Sequence, residues 1–344
     1  MGWKMDVDNI TIKANTKQAI NRFSATLAAS CLSSQTDNMC ISPIGFYVTL
    51  AALCEGAAGK TAVELKQVLG TYDFAALETL WKKLRDNPTG SFVSEITGPL
   101  PLLSPKYKEM LHAFAFRLRD EKGMRFILKN HLKSLARWPE RPEQCEESFY
   151  FRPYEKRIGN GYRCRCLKHK HVNCYKNDKH CMNATIPFGN GLALTLAMPK
   201  EVSLQEFWRG SGCLYALMPV DTAVAPAEVI IPHFHIETEI AAHKMLPQMG
   251  VEQAFDAARA DFSGMIASGA RGFFVKSCAQ SVQITVDENG ATAQAETWAE
   301  TIALCLQPRL MFDHPFAFAI WDENVGIPLF IGSLYHAAEI SKSA

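Results

Sequence analysis

The 344-residue chain contains no run of about 18 consecutive apolar residues, so no membrane-spanning helix is predicted. Net charge is almost absent. With 36 Lys+Arg against 35 Asp+Glu, the chain is not a polycation that coats nucleic acid, and neither nucleic acid nor a membrane is an expected partner. The opening MGWKMDVDNI lacks the apolar core of a secretory signal. The expected location is the cytoplasm, or the outside of the cell by a leaderless route. GxSxG, HExxH and GxGxxG are all missing, and no Ser, His and Asp spacing nominates a triad, so no enzyme and no cofactor are expected. The stretch Gly56-Ala57-Ala58-Gly59-Lys60-Thr61 ends like a phosphate loop, but Cys54 stands where the first glycine is needed. No internal repeat and no Pro/Gly/Ser linker divides the chain, so one domain over residues 1–344 is expected. The 11 cysteines, an odd number scattered from Cys31 to Cys305, do not make a disulfide framework. They predict a reducing compartment and buried, inert thiols.

What is present is hydrophobic periodicity that changes along the chain. Ile20, Phe23, Leu27 and Cys31 recur at helical spacing, and Ser42-Pro43 introduces a second apolar helix. Thr61, with Glu64 three residues on and Gly70 as exit, has the form of a capping box and glycine stop. Residues 107–114 suggest another short helix. From about 185 strands take over. ATIPFGNGLALTLAMP has the pattern of two strands about a Gly-Asn-Gly turn. EVIIPHFHIET predicts one strand running through Pro232, with a bulge or at a sheet edge. SVQITVDE alternates Val282, Ile284 and Val286, and residues 315–335 form a buried hairpin pattern. Helices first and strands later favour an α+β fold.

Residues 151–181 stand apart, with nine Lys/Arg against two Asp/Glu, four cysteines and three histidines. Zinc accepts such ligands in fours, but Cys164, Cys166, His169, His171, Cys174, His180 and Cys181 fit none of its usual spacings, and no metal is expected. The same basic run suits a polyanion or simply a solvated face.

The most informative tract is 287–305. Every second residue from Ala291 is small and uncharged: Ala291, Ala293, Ala295, Thr297, Ala299 and Thr301. Such a period describes a strand with one face able to enter a crowded sheet. Its Ala, Gln and Glu content equally suits a polar loop or short helix. Spacing alone leaves both open.

DENGATAQAE resembles the reactive-loop hinge of the serpin family. NMCISPIG (38–45) resembles that family's N-x-x-x-S-P-x-S, EGAAGKTAVEL its G-A-x-G-x-T motif, and residues 246–265 and 315–334 two of its later motifs. The resemblance implies three β-sheets, about seven to nine helices and an exposed reactive-centre loop over about 288–311. It implies a serine protease inhibitor acting as a suicide substrate. The loop is cut, and its hinge (Glu288, Gly290, Ala291, Ala293, Ala295) inserts into the main sheet through an opening region that includes Ser42, Asn130, Trp138 and Gln280. Counting seventeen residues from Glu288 places the reactive bond at Leu304–Cys305. An apolar Leu304 implies a target serine protease with a chymotrypsin- or elastase-like pocket. A monomer is expected.

The chain departs from the family pattern at several points. Gly290-Ala291 replaces Gly-Thr, Gln280 stands where many members have His, and Gly45 replaces Ser. Only seven residues separate 113–118 from 126–130, where the family places a helix across the front of the main sheet, so that helix is expected to be missing. Residues 119–185 are atypical as a whole. These departures keep a second reading open, a non-inhibitory serpin that binds or carries a ligand.

Overall fold

A computed structural model describes residues 14–87, 90–134, 136–139, 141–145, 149–153, 161–188, 191–220, 222–288 and 308–338. Among them are seven α-helices: α1 (Ala14–Leu32), α2 (Pro43–Gly56), α3 (Gly59–Leu69), α4 (Phe74–Asp86), α5 (Pro105–Ala113), α6 (Leu204–Arg209) and α7 (Cys213–Ala216). The strands are β1 (Met39–Ile41), β2 (Gly90–Gly98), β3 (Arg117–Asp120), β4 (Arg125–Ser134), β5 (Glu143–Gln144), β6 (Phe149–Phe151), β7 (Tyr162–Cys164), β8 (Cys166–Asn177), β9 (Cys181–Pro187), β10 (Leu192–Pro199), β11 (Thr222–Pro232), β12 (Phe234–Ala241), β13 (Phe274–Val286), β14 (Arg309–Met311), β15 (Phe316–Asp322) and β16 (Ile327–Leu334). The expected α+β fold is what the chain adopts.

The apolar stripe of α1 is buried as its spacing requires, with Ile20, Phe23, Leu27 and Cys31 all turned inward. Extended Ser42 precedes Pro43 at the first turn of α2, where a missing N–H removes no hydrogen bond. That helix is buried on nearly every side, beneath the main sheet. The capping box predicted at Thr61 does not form: α3 starts at Gly59, behind Ala58. Glu64 instead accepts hydrogen bonds from the backbone of Glu252 (2.9 Å) and Gln253 (2.8 Å), and the Thr61 hydroxyl accepts one from Asp261 (3.0 Å). A distant loop needed those acceptors, and it outcompeted the local cap. The predicted exit is right, with Gly70 at φ 72°.

The main sheet has five strands in the order β12-β13-β4-β2-β3. Its central pair, β4 and β13, is parallel, with register partners running from Phe274↔Arg125 to Gln283↔Lys133. A second ladder runs β1-β16-β15-β10-β9-β8-β11-β14, with β5 on β8. Strand β8 serves both halves of it: Cys166–Val172 lies against β11, and Cys174–Asn177 against β9. His171, at φ 59°, sits at the changeover, in a left-handed conformation that non-glycine residues rarely take. The two halves and the main sheet are the three expected sheets.

The single strand expected through Pro232 is two strands. β11 ends at Pro232 in one sheet and β12 begins at Phe234 in another, with His233 as the corner. The segment 151–181, without clear periodicity, contains the long strand β8, half of it buried alternately and half wet. Three of its lysines are paired with carboxylates: Lys170 and Lys168 with Glu143 (2.6 and 3.7 Å), and Lys176 with Asp178 (2.9 Å).

One expectation about cysteine fails. Cys145 and Cys166 form a disulfide, closed by strands β5 and β8 lying side by side. The spacing gave no sign of it, because the two residues meet only through tertiary pairing. Cys31, Cys40, Cys54, Cys164, Cys181, Cys213 and Cys278 are free. Burial pushes the thiols of Cys31, Cys164 and Cys278 up to about 12, which makes them inert.

Candidate functional site: the seam of the main sheet

The parallel pair β4–β13 is the place where the hinge strand would enter. Midway along it Asn130 and Gln280 are register partners, both buried and both facing α2. Gln280 grips the start of α2 with both ends of its amide: Oε1 accepts from Ser42 N (2.8 Å) and Nε2 donates to Ser42 O (2.9 Å). The Ser42 hydroxyl in turn donates to Leu329 O on β16 (2.7 Å). Asn130 turns the other way. Its Oδ1 accepts from Ser94 Oγ (2.8 Å) and lies 3.0 Å from Thr49 Oγ1. Each side of the seam is therefore bonded to the layer beneath or to its outer neighbour. Asn130 Nδ2 also donates to Gly45 O (3.4 Å), so both strands are tied to α2 here, while among the described residues no side-chain bond runs directly from Asn130 to Gln280.

The top of the seam is tied across. Trp138, just beyond β4, donates from Nε1 to Asp287 O just beyond β13 (2.9 Å). The indole is buried, stacked on Phe188 (4.3 Å between centroids) and edge-on to His169 (4.5 Å). One residue later, Glu288 is held from two sides. Gln144 of β5 donates to its Oε1 (2.9 Å), and His233 Nδ1 stands 3.3 Å from its Oε2. Both holders are anchored at the start of β8. Gln144 pairs with Leu167, while His233 N donates to Arg165 O (2.9 Å).

Burial lowers the His233 imidazole below its ordinary value, a shift only partly opposed by Glu288 and Asp287. At neutral pH the ring is thus neutral, and its 3.3 Å contact with Glu288 is not an ion pair. His169 is pushed down to about 4 by burial alone, and its Nε2 has no partner. Among the described residues no group of three or more His, Cys, Asp or Glu is arranged to hold a metal ion. Cys166 is spent in the disulfide, and His169 lies under Trp138.

Ser42, Asn130, Trp138, Gln280 and Glu288 are thus all on this one seam. Gly290, Ala291, Ala293, Ala295, Leu304 and Cys305 lie outside the described residues. Sequence reasoning missed Gln144, His233, His169 and the Cys145–Cys166 bridge. Only the placement of His233 directly after Pro232 hinted at a corner.

Among the described residues no helix crosses the front of the sheet. β3 and β4 are joined by residues 121–124, all of them described. The strand face so uncovered is polar: Lys129, His131 and Lys133 on β4, Ser281 and Thr285 on β13, and Glu237 and Glu239 on β12 are exposed. Their alternate neighbours Leu128, Leu132, Val282 and Ile284 are buried.

A sequence model of the family described as "Serpin (serine protease inhibitor)" matches residues 18–98 and 125–337. The chain belongs to the serpin family. The unmatched stretch between the two blocks contains the shortened β3–β4 connection. Protein Z-dependent protease inhibitor of Homo sapiens is 36% identical over 167 residues, which are 47% of this chain and 37% of that protein. Leukocyte elastase inhibitor of Homo sapiens is 27% identical over 176 residues, 48% of this chain and 46% of that one. The matched stretch thus spans less than half the length of either relative. The native-state crystal structure of tengpin, a thermophilic serpin, superposes with a TM-score of 0.78 over 94% of this chain and 95% of its own, at 19% identity.

Proposed function

We propose that this chain inhibits a serine protease by suicide trapping. The protease attacks the loop after Leu304 and forms an acyl-enzyme. The freed strand, led by Glu288 and Gly290, then runs back between β4 and β13. The observation that carries this reading is the direct parallel pairing of β4 and β13, with Glu288 at its top. A strand that turns back from β13 runs antiparallel to both neighbours. It replaces one parallel ladder by two antiparallel ones, and antiparallel pairing is the more stable per residue. A gain of about a dozen backbone hydrogen bonds, at about 0.5–1.5 kcal/mol each, is on the order of 10 kcal/mol. About fourteen residues at about 3.3 Å each carry the tethered protease roughly 45 Å.

The alternation Ala291, Ala293, Ala295 supplies the small side chains that a seam lined by Leu132, Cys278 and Val282 can admit. An apolar Leu304 suits a chymotrypsin- or elastase-like target, in keeping with the name of the leukocyte elastase inhibitor. The test is incubation with chymotrypsin and with elastase. A complex that survives SDS is expected, and Ala291→Arg is expected to convert trapping to turnover, because a guanidinium cannot be buried unpaired in the seam. Clean cleavage of the loop in the unaltered protein, with no covalent complex and no gain in thermal stability, overturns this reading in favour of a non-inhibitory binding role.

A further inference from the structure

We propose that the Cys145–Cys166 disulfide is a redox-operated catch on the top of the main sheet. This deepens the inhibitor reading, since the seam it controls is the one that admits the loop. Few side-chain bonds cross the seam directly. Midway, Gln280 and Asn130 make no side-chain bond to each other; Gln280 bonds Ser42, and Asn130 bonds Ser94 and, on α2, Thr49 and Gly45 O. In front, residues 121–124 pass directly from β3 to β4, so among the described residues opening displaces no packed helix. Side-chain restraint is concentrated at the top, in Trp138 to Asp287 O and in the two holders of Glu288.

Of these, Gln144 has the weakest footing. It lies on a strand of only two residues, Glu143–Gln144, at the margin of β8. So short an edge strand has little stability of its own. What fixes it is the pairing of Glu143 with Lys170 and Lys168, which is largely solvent-exposed and therefore weak, and the covalent link one residue on, at Cys145. Cys145 N also donates to Cys166 O (3.3 Å), and Cys166 is the register partner of Pro232, which precedes the second holder, His233. The disulfide therefore sits where both arms of the Glu288 clasp are rooted. Of its two sulfurs, that of Cys145 belongs to the less buried residue, so it is the one open to attack.

A small dithiol supplies the chemistry. One of its thiolates attacks the Cys145 sulfur, the S–S bond breaks, and Cys166 leaves as a thiolate and takes up a proton. The second thiol resolves the mixed disulfide and releases Cys145 as a thiol. Two electrons and two protons pass to the protein, and the dithiol departs as a cyclic disulfide. Cys31, Cys40, Cys54, Cys164, Cys181, Cys213 and Cys278 are already free thiols and are unaffected. Gln144 then loses its fixed perch, and the grip on Glu288 drops from two arms to one.

The experiment is hydrogen exchange on the intact protein, oxidised and after dithiothreitol, without any protease. Reduction is expected to speed exchange in the 282–288 segment about tenfold, the size of one charge-assisted hydrogen bond, and to leave α1 and β16 unchanged. Cys145→Ser is expected to show the fast rate without reductant. Gln144→Ala is expected to show it in the oxidised state, with no further gain on reduction. Unchanged exchange on reduction overturns the proposal. So does an equal effect of reduction in Gln144→Ala, or acceleration spread evenly over the whole protein. Because the readout is local opening, failure of protease trapping leaves this result intact, and failure here leaves trapping to be judged by its own test.

Discussion

The Cβ that Gly45 lacks would stand 3.1 Å from the Gln280 amide nitrogen and 2.9 Å from Leu132 Cδ2. Two departures from the family pattern, Gly for Ser at 45 and Gln for His at 280, are therefore one physical change. The longer amide reaches the backbone of Ser42 only because nothing projects from Gly45. Gly45→Ser is expected to destabilise the fold by about 1–3 kcal/mol, as overpacking does. In a Gln280→Ala background the penalty should shrink, leaving the part due to Leu132. Urea unfolding of the four proteins in the cycle checks this; strict additivity would sink it.

Trp138→Phe should keep the stack on Phe188 and lose the bond to Asp287 O. A loss of about 1–2 kcal/mol in urea unfolding is expected. No change would mean that the indole N–H does not hold the top of the seam.

The buried His169 ties stability to pH. Its folded value, about 4, lies below the ordinary 6.5, so the native state stays neutral while the unfolded chain takes up a proton. The stability it contributes is complete above pH about 6.5, falls as pH drops towards about 4, and is on the order of 3 kcal/mol in total. His233, also lowered, adds loss of the same sign. His169→Phe is expected to flatten the urea midpoint between pH 6.5 and 4 without abolishing the remaining slope.

The uncovered front of the sheet is built for water. His131→Thr and Lys133→Thr are expected to change stability by less than about 0.5 kcal/mol, whereas Leu132→Ala, between them and facing inward, should cost about 2–5 kcal/mol. If the outer pair proved as costly as Leu132, the face would not be free.

Much of the fold was legible. The stripes of α1 and of β13, the Ser42-Pro43 entry to α2 and the hairpin of β15 and β16 follow from apolar spacing and from proline and glycine chemistry, which act over a few residues. The short link between β3 and β4 was legible as a simple count of residues. The capping box at Thr61 was misjudged because Glu64 serves a backbone nearly two hundred residues away. Strand β8 was missed because its side chains obey two sheets in turn, which erases a single period.

The sequence by itself determined the buried stripe of α1, the entry to α2, that the hinge tract is small on one face, and that no helix fits between β3 and β4, because these depend on local sterics and chain length. Tertiary structure alone decided that Gln280 and Asn130 both bond into α2, that Gln144 and His233 close on Glu288, and that Cys145 meets Cys166. Those contacts join residues up to 238 positions apart, and a short-range pattern carries no record of which buried donor a distant acceptor will satisfy.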